Sequence, residues 1–370
     1  MIDDIETLVR CESPSKDHEA VARSAEAVAK IGHRLLGVEP ERIVTDGCTH
    51  LRWQFGEPRV LLLGHHDTVW PLGSLETHPF EVRDGVLRGP GCFDMKAGVV
   101  MALHAAAALA DRDGVSILIT GDEEIGSPLS RTLIEEEAKS CAAVFVLEAS
   151  ADGGALKTRR KGVSLYRIEI EGRAAHAGLE PEKGVNAGIE VAHQILAVAA
   201  LADPAKGTTV VPTALSAGTT TNTVPAKASV AVDARVWDAA EQVRVDRAIR
   251  NLKPVTENAR IHIVGGINRP PLDAKASAEL FALANELGGP LTEAAVGGAS
   301  DGNFTAGLGI PTLDGLGAVG GGAHADDEHV LVAELDRRTA LLKALTETVL
   351  NHRSSSAPTN APGESGAAQR

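Results

Sequence analysis

Apolar positions recur at helical spacing near the start of the chain. Val21, Ala22, Ala25, Val28, Ala29, Ile31 and Leu35 predict an amphipathic helix over residues 17–36. The run from Val60 to Leu63 then reads as a buried strand, as do Val115–Thr120 and residues 142–147 (AAVFVL). Between the first two, residues 95–110 are rich in alanine and predict a long helix. Strands separated by helices predict an α/β layer, a mostly parallel sheet with helices on both faces.

The period changes after Gly162. Residues 163–171 (VSLYRIEIE) alternate as a strand exposed on one face does. A helix over 186–200, strands over 208–216 and 228–236, a helix over 239–251 and a strand over 260–264 follow. This β-α-β-β-α-β order is that of a ferredoxin-like module. The expected organisation is therefore a discontinuous first domain, residues 1–161 and 266–352, interrupted by a module over 162–265. Gly162 and the pair Gly265-Gly266 are the expected hinges. Helices over 276–287 and 332–350 and a strand over 310–313 complete the first domain. The Ser/Pro/Gly-rich stretch 353–370 is expected to be a disordered tail.

Composition narrows the class of partner. The 370 residues leave room for about two domains, and 44% hydrophobic content is globular. With 36 basic against 50 acidic residues the net charge is −14, and aromatics are only 3%, which speaks against nucleic acid as a partner. Cys11, Cys48, Cys92 and Cys141 show no C-x-x-C spacing, so a reduced, cytoplasmic compartment is expected. The opening MIDDIETLVR lacks the apolar stretch of a signal peptide, and no run nears the roughly 18 apolar residues of a membrane span. No membrane partner is expected.

The chemistry gathers where the strands end. Ligands of open α/β sheets bind outside the carboxyl ends of the strands. Here the first strand runs into His65-His66-Asp67, the second into Gly121-Asp122-Glu123-Glu124 and the third into Glu148. GPGCFDMKAG places Asp94 just before a helix, and GGGAHADDEH places His324 in a glycine-rich loop. Taken singly, each is as ordinary as any polar residue at a strand end. Together, carboxylates crowded on one rim would repel unless cations neutralised them. Histidines with carboxylates suit paired divalent metals, with Zn²⁺ favoured by mixed N/O ligation. A carboxylate can bridge two metals, and Asp94 sits between the flanking groups in sequence. That leaves one histidine and one glutamate for each metal.

Five stretches in this order, GHHDTVWP, GPGCFDMKAG, TGDEEIGS, VLEAS and GGAHADDEH, resemble the M20 metallopeptidases. The resemblance spans residues 1–352 and is strongest to the carboxypeptidase G2, acetylornithine deacetylase and succinyl-diaminopimelate desuccinylase group. It implies a di-zinc catalytic domain carrying an inserted lid and dimerisation domain. It selects His65 over His66 as a ligand, oriented by Asp67, with Asp94 as the bridge. It makes Glu123 the general base and Glu124 a ligand, with Glu148 and His324 completing the set. His65 would pair with Glu148 on one metal and His324 with Glu124 on the other. Glutamate at position 148 is the family's carboxypeptidase and deacylase choice, where aminopeptidases and dipeptidases carry aspartate. The GPG before Asp94 is like that of carboxypeptidase G2, while Ala97 departs from a common glycine. GRAAHAGLEPEKGVNA selects His176 as the lid histidine, and TTTNTVPAKASVAVDAR selects Asn222 and Arg235 as substrate-side groups. Arg269 and Lys161 resemble further substrate-contact positions.

The resemblance thus implies a zinc-dependent hydrolase with two Zn²⁺ per chain, Co²⁺ or Mn²⁺ serving as substitutes. Its substrate would be a small N-acyl or peptidyl amino acid, cut at the amide through a metal-bridging water activated by Glu123. The first alternative is an N-acyl-amino-acid deacylase, and a remote one is a non-catalytic relative that only binds. A homodimer through the lid is implied as well.

Overall fold

The computed structural model describes residues 1–352, so the expected tail at 353–370 lies outside the described residues. The central sheet has six strands, ordered Glu41–Thr45, Cys48–Phe55, Val115–Thr120, Val60–His65, Ala143–Val146 and Thr312–Leu313. The last four run parallel to one another, and the first two form an antiparallel hairpin on one edge. Val60–His65 lies between two parallel neighbours and every residue in it is buried. A strand covered on both faces needs a continuous apolar run, and LLL supplies it.

Helix His18–Leu36 begins where the Asp17 carboxylate accepts the Ala20 amide and ends at Gly37, whose φ of 80° admits no other residue cheaply. Its buried face joins Trp53, Leu62, Phe145 and helix Ala97–Ala107 in the main hydrophobic cluster. The long helix expected from residue 95 starts only at Ala97, because Asp94 and Met95 have non-helical backbone angles. The amides of Phe93 and Asp94 donate to Glu328 instead of joining a helix. The same helix stops at Ala107, where the Arg112 guanidinium donates to the carbonyls of Ala106 and Ala107. Gly98 packs so closely on the Leu147 carbonyl oxygen that a Cβ there would overlap it. That contact ties the helix to the strand end that carries Glu148.

A second, four-stranded antiparallel sheet has the order Thr209–Ala217, Lys227–Val236, Gly162–Glu171 and Arg260–Arg269. With helices Ala187–Ala199 and Ala239–Arg250 this is the ferredoxin-like arrangement. Tyr166, Ile168 and Ile170 face inward with Val191, Val198, Val230 and Val232, forming a hydrophobic cluster of its own. The last strand does not end at Gly265-Gly266. It stays paired through them, opposite Tyr166 and Leu165, and continues to Arg269 opposite Val163. Gly265 takes φ of 91°, and a Cβ there would overlap the Leu165 carbonyl. These glycines admit a close strand approach, so the strand runs on to Arg269 where the sequence predicts its end at residue 264.

Candidate metal centre

The three parallel strands deliver their carboxyl ends to one edge of the sheet. His65 is the last residue of Val60–His65, Glu123 and Glu124 follow Val115–Thr120, and Glu148 follows Ala143–Val146. Asp94 arrives from the loop before helix Ala97–Ala107, and His324 from the loop between Gly320–Gly321 and His329–Leu331. His324 adopts a left-handed φ of 63° there.

These side chains converge. His65 Nε2 lies 3.4 Å from Asp94 Oδ1 and 3.5 Å from Glu148 Oε1. His324 Nε2 lies 3.2 Å from Asp94 Oδ2 and 3.2 Å from Glu124 Oε2. Asp94 therefore turns one oxygen to each histidine. Potential ligand atoms of His65, Asp94 and Glu124 lie within 4.8 Å of one another, as do those of His65, Glu123 and Glu148. Three atoms at this junction are buried with no hydrogen-bond partner: His65 Nε2, Asp94 Oδ1 and Glu124 Oε1. Buried polar atoms are rarely left unpaired, and cations held between them would satisfy all three.

The surrounding bonds aim the ligand atoms. His65 Nδ1 stands 3.0 Å from the Asp67 main-chain oxygen and 3.4 Å from its Oδ1. Those oxygens only accept, so Nδ1 carries the proton and Nε2 is free for a cation. The fully buried Asp67 carboxylate also accepts from Ser15 Oγ and from the amides of Glu123 and Glu124, linking two motifs. Glu328 was not singled out in the sequence, and it is buried at the same junction. It accepts from the amides of Gly91, Phe93 and Asp94 and from Trp70 Nε1, which shapes the Asp94 loop. Arg160 pairs with Asp314 and lies 3.5 Å from Glu148 Oε2. Both Glu328 and Arg160 were within reach of sequence reading only as carboxylate or guanidinium near a motif, with no spacing to mark them.

Without cations, protons balance the charge. Hydrogen bonds to Asp94 and Glu124 raise the His324 pKa to about 10. Burial opposes protonation of His65, yet Asp67, Asp94 and Glu148 outweigh it and hold its pKa well above the usual range. Burial lifts Glu124 to about 7 and Glu123 well above an ordinary carboxyl. A cation must displace the His324 and His65 protons, so its apparent affinity rises with pH up to the His324 pKa of about 10. Calorimetric zinc titration at pH 7 in buffers of different ionisation heat should therefore register release of about two to three protons per chain, one from each histidine and part of one from Glu124. Heats independent of the buffer would contradict this.

Other polar clusters are different. His66 donates from Nε2 to the Thr49 carbonyl, and burial pushes its pKa down to about 4. It is a neutral core histidine. Cys48, His50 and Asp122 also lie within ligand distance of one another, all fully buried. The Gly121 amide, however, donates to His50 Nδ1, which leaves the proton of a neutral imidazole on Nε2 and that nitrogen closed to a cation.

The remaining predicted residues lie elsewhere. His176 is on an exposed loop bridged to Thr223, beside Asn222, whose carbonyl accepts the Ala177 amide. Arg235 pairs with Asp233 and donates to the Gly297 carbonyl. Lys161 donates to the Gly207 carbonyl and lies 5.2 Å from the centre of the Trp237 ring. Among the described residues, no hydrogen bond or ion pair joins these four side chains to the converging histidines and carboxylates. Arg269 does reach the cluster, but it bonds to Glu123.

The comparisons agree on one group. The model of peptidase family M20/M25/M40 matches residues 61–348. Carboxypeptidase G2 of Pseudomonas sp. (strain RS-16) is 33% identical over 76% of this chain and 72% of its own length. Succinyl-diaminopimelate desuccinylase of Xanthomonas euvesicatoria pv. vesicatoria (strain 85-10) is 30% identical over 90% of this chain and 97% of its own. The M20 family metallo-carboxypeptidase Sso-CP2 of Sulfolobus solfataricus shares the fold, with a TM-score of 0.72 at 16% identity over 93% of this chain and 98% of its own.

Proposed function

The chain belongs to peptidase family M20/M25/M40, and from that premise we propose how its own residues act. The protein is a metal-dependent hydrolase that cleaves the amide bond of N-acyl or peptidyl amino acids, of carboxypeptidase type. The observation that carries this reading is the sharing of Asp94 between His65 with Glu148 and His324 with Glu124.

Those five residues would hold two zinc ions per chain, with Co²⁺ or Mn²⁺ as substitutes. Bound there, the ions would supply acidification of a water and polarisation of the substrate carbonyl. Glu123 takes the proton of that water and returns it to the leaving amine. Its carboxylate stands beside His65 and Glu148, where it can meet a water held by the ions. Asp67 keeps His65 in the tautomer that frees Nε2.

The lid supplies the substrate side. The amides of Gly178 and Leu179 both donate to His176 Nδ1, so its Nε2 carries the proton and can donate to a carbonyl oxygen. Asn222 and Arg235 receive the carboxylate of the C-terminal residue, for which a guanidinium fork is well matched, and Lys161 flanks them. His176 is exposed, and Ile189, Leu196, Val211 and Leu215 leave apolar surface open on an adjoining helix and edge strand. Both support a homodimer in which the lid, residues 162–265, serves a partner's site. Four unpaired cysteines fit a reducing cytoplasm. No helix among the described residues is long and apolar enough to cross a membrane.

The test is a hydrolysis panel of N-acyl amino acids, γ-glutamyl compounds and dipeptides, varied at the C-terminal residue. The zinc-loaded protein should release free amino acids, best when that residue is acidic or small. Turnover confined to N-acetyl or N-succinyl substrates would move the protein to the deacylases. No turnover of any member would overturn the assignment.

A further inference from the structure

We propose that Arg269 is a positioning residue for Glu123, braced by Asp301, and not a substrate contact. This rests on Glu123 being the base. Arg269 ends the strand Arg260–Arg269 and is only 6% exposed. Its Nη2 lies 2.8 Å from Glu123 Oε1, 2.9 Å from Asp301 Oδ1 and 2.7 Å from Ser127 Oγ. It also approaches the Glu123 carbonyl, at 3.3 Å. Asp301 is itself fixed: Ser127 Oγ donates to Oδ1 and Thr120 Oγ1 to Oδ2. Thr120 is the last residue of the strand that delivers Glu123, so the brace and the base share one root. The guanidinium also packs over the Phe304 ring, 5.2 Å from its centre.

The arrangement divides the work of the Glu123 carboxylate. Oε1 is held by Arg269, while among the described residues no hydrogen bond reaches Oε2. A base oriented by a third group in this way keeps its free oxygen aimed at one place. Nη2 is taken up by these groups and Nε is buried without a partner among the described residues, so at 6% exposure the guanidinium presents little surface to a substrate carboxylate. The charge order Asp301, Arg269, Glu123 alternates in sign, so removal of Arg269 leaves two buried carboxylates facing each other. The strand that leaves the ferredoxin-like module thereby ends on the base.

Because every one of these bonds converges on Nη2, an ammonium at that point can replace much of it. The experiment measures kcat, KM and zinc content of Arg269→Met, Arg269→Lys and Asp301→Asn on a substrate that the wild-type protein turns over. Arg269→Met should keep its zinc and its KM to within about threefold while kcat falls about 100-fold, the cost expected of a misplaced catalytic group. Arg269→Lys should recover about tenfold of that loss, and Asp301→Asn should lower kcat with KM held. A raised KM at unchanged kcat, or a lysine variant no better than methionine, would overturn the proposal. Should the methionine variant fail to fold, lysine and Asp301→Asn against wild type still decide, since unchanged kcat in both would overturn it. A wild-type protein that hydrolyses nothing overturns the proposed function instead, so the two failures are distinct.

Discussion

Replacing Glu123 by glutamine should lower kcat about 1000-fold while the protein keeps its full zinc content. Glutamine preserves the shape of the side chain and can still accept from Arg269 through its amide oxygen. It cannot take a proton from water or hand one to an amine. Proton transfer by a placed side chain accounts for roughly 10²–10⁴-fold in rate, and here one residue performs it twice. The five residues expected to hold the ions do not include Glu123, so metal content by mass spectrometry separates a lost base from a lost site. Turnover within about tenfold of wild type would remove Glu123 from the role of base. Loss of zinc along with activity would make it a ligand.

The fold was legible where burial sets a clear period. The run Val60–Leu63 is central in the sheet, so it is apolar throughout. Residues 163–171 cover one face of a second sheet, so they alternate. The hairpin Glu41–Thr45 and Cys48–Phe55 was missed for the same reason in reverse. Its outer strand, ERIVT, is an edge with mixed burial and carries no strong pattern. The start of helix Ala97–Ala107 was misread because helix propensity says nothing of Glu328, which draws the Phe93 and Asp94 amides away. The strand Arg260–Arg269 was cut short because glycine reads as a break, whereas Gly265 serves a close approach within a paired strand.

The candidate site divides in a similar way. Residues at strand ends can be placed from sequence, because the strand fixes where its carboxyl end points. His65, Glu124 and Glu148 belong to that class, and Asp94 and His324 join them through short glycine-bearing loops. Asp301, Ser127 and Glu328 could not be found, since their contacts join distant segments: Ser127 and Asp301 are 174 residues apart, and Glu328 and Asp94 are 234 apart. No spacing encodes such a contact. Arg269 is singled out by the sequence as a candidate substrate contact, yet its contact with Glu123, on which the proposal for it rests, is not.

Asp94 joins the two halves of the centre. Its two oxygens face different histidines, His65 on one side and His324 on the other, and one of them is buried without a partner. A carboxylate shared in this way would serve both cations of the proposed pair, so Asp94→Ala should cost both, together with all hydrolysis. By contrast, His324 is about half exposed and lies on one side only, so its loss should spare the cation at His65 and Glu148. The decisive measurement is the zinc content of the purified, zinc-equilibrated protein, wild type against Asp94→Ala. The wild type should hold about two zinc ions per chain and the variant fewer than about one. Equal content in the two proteins, or no zinc in the wild type, would contradict it.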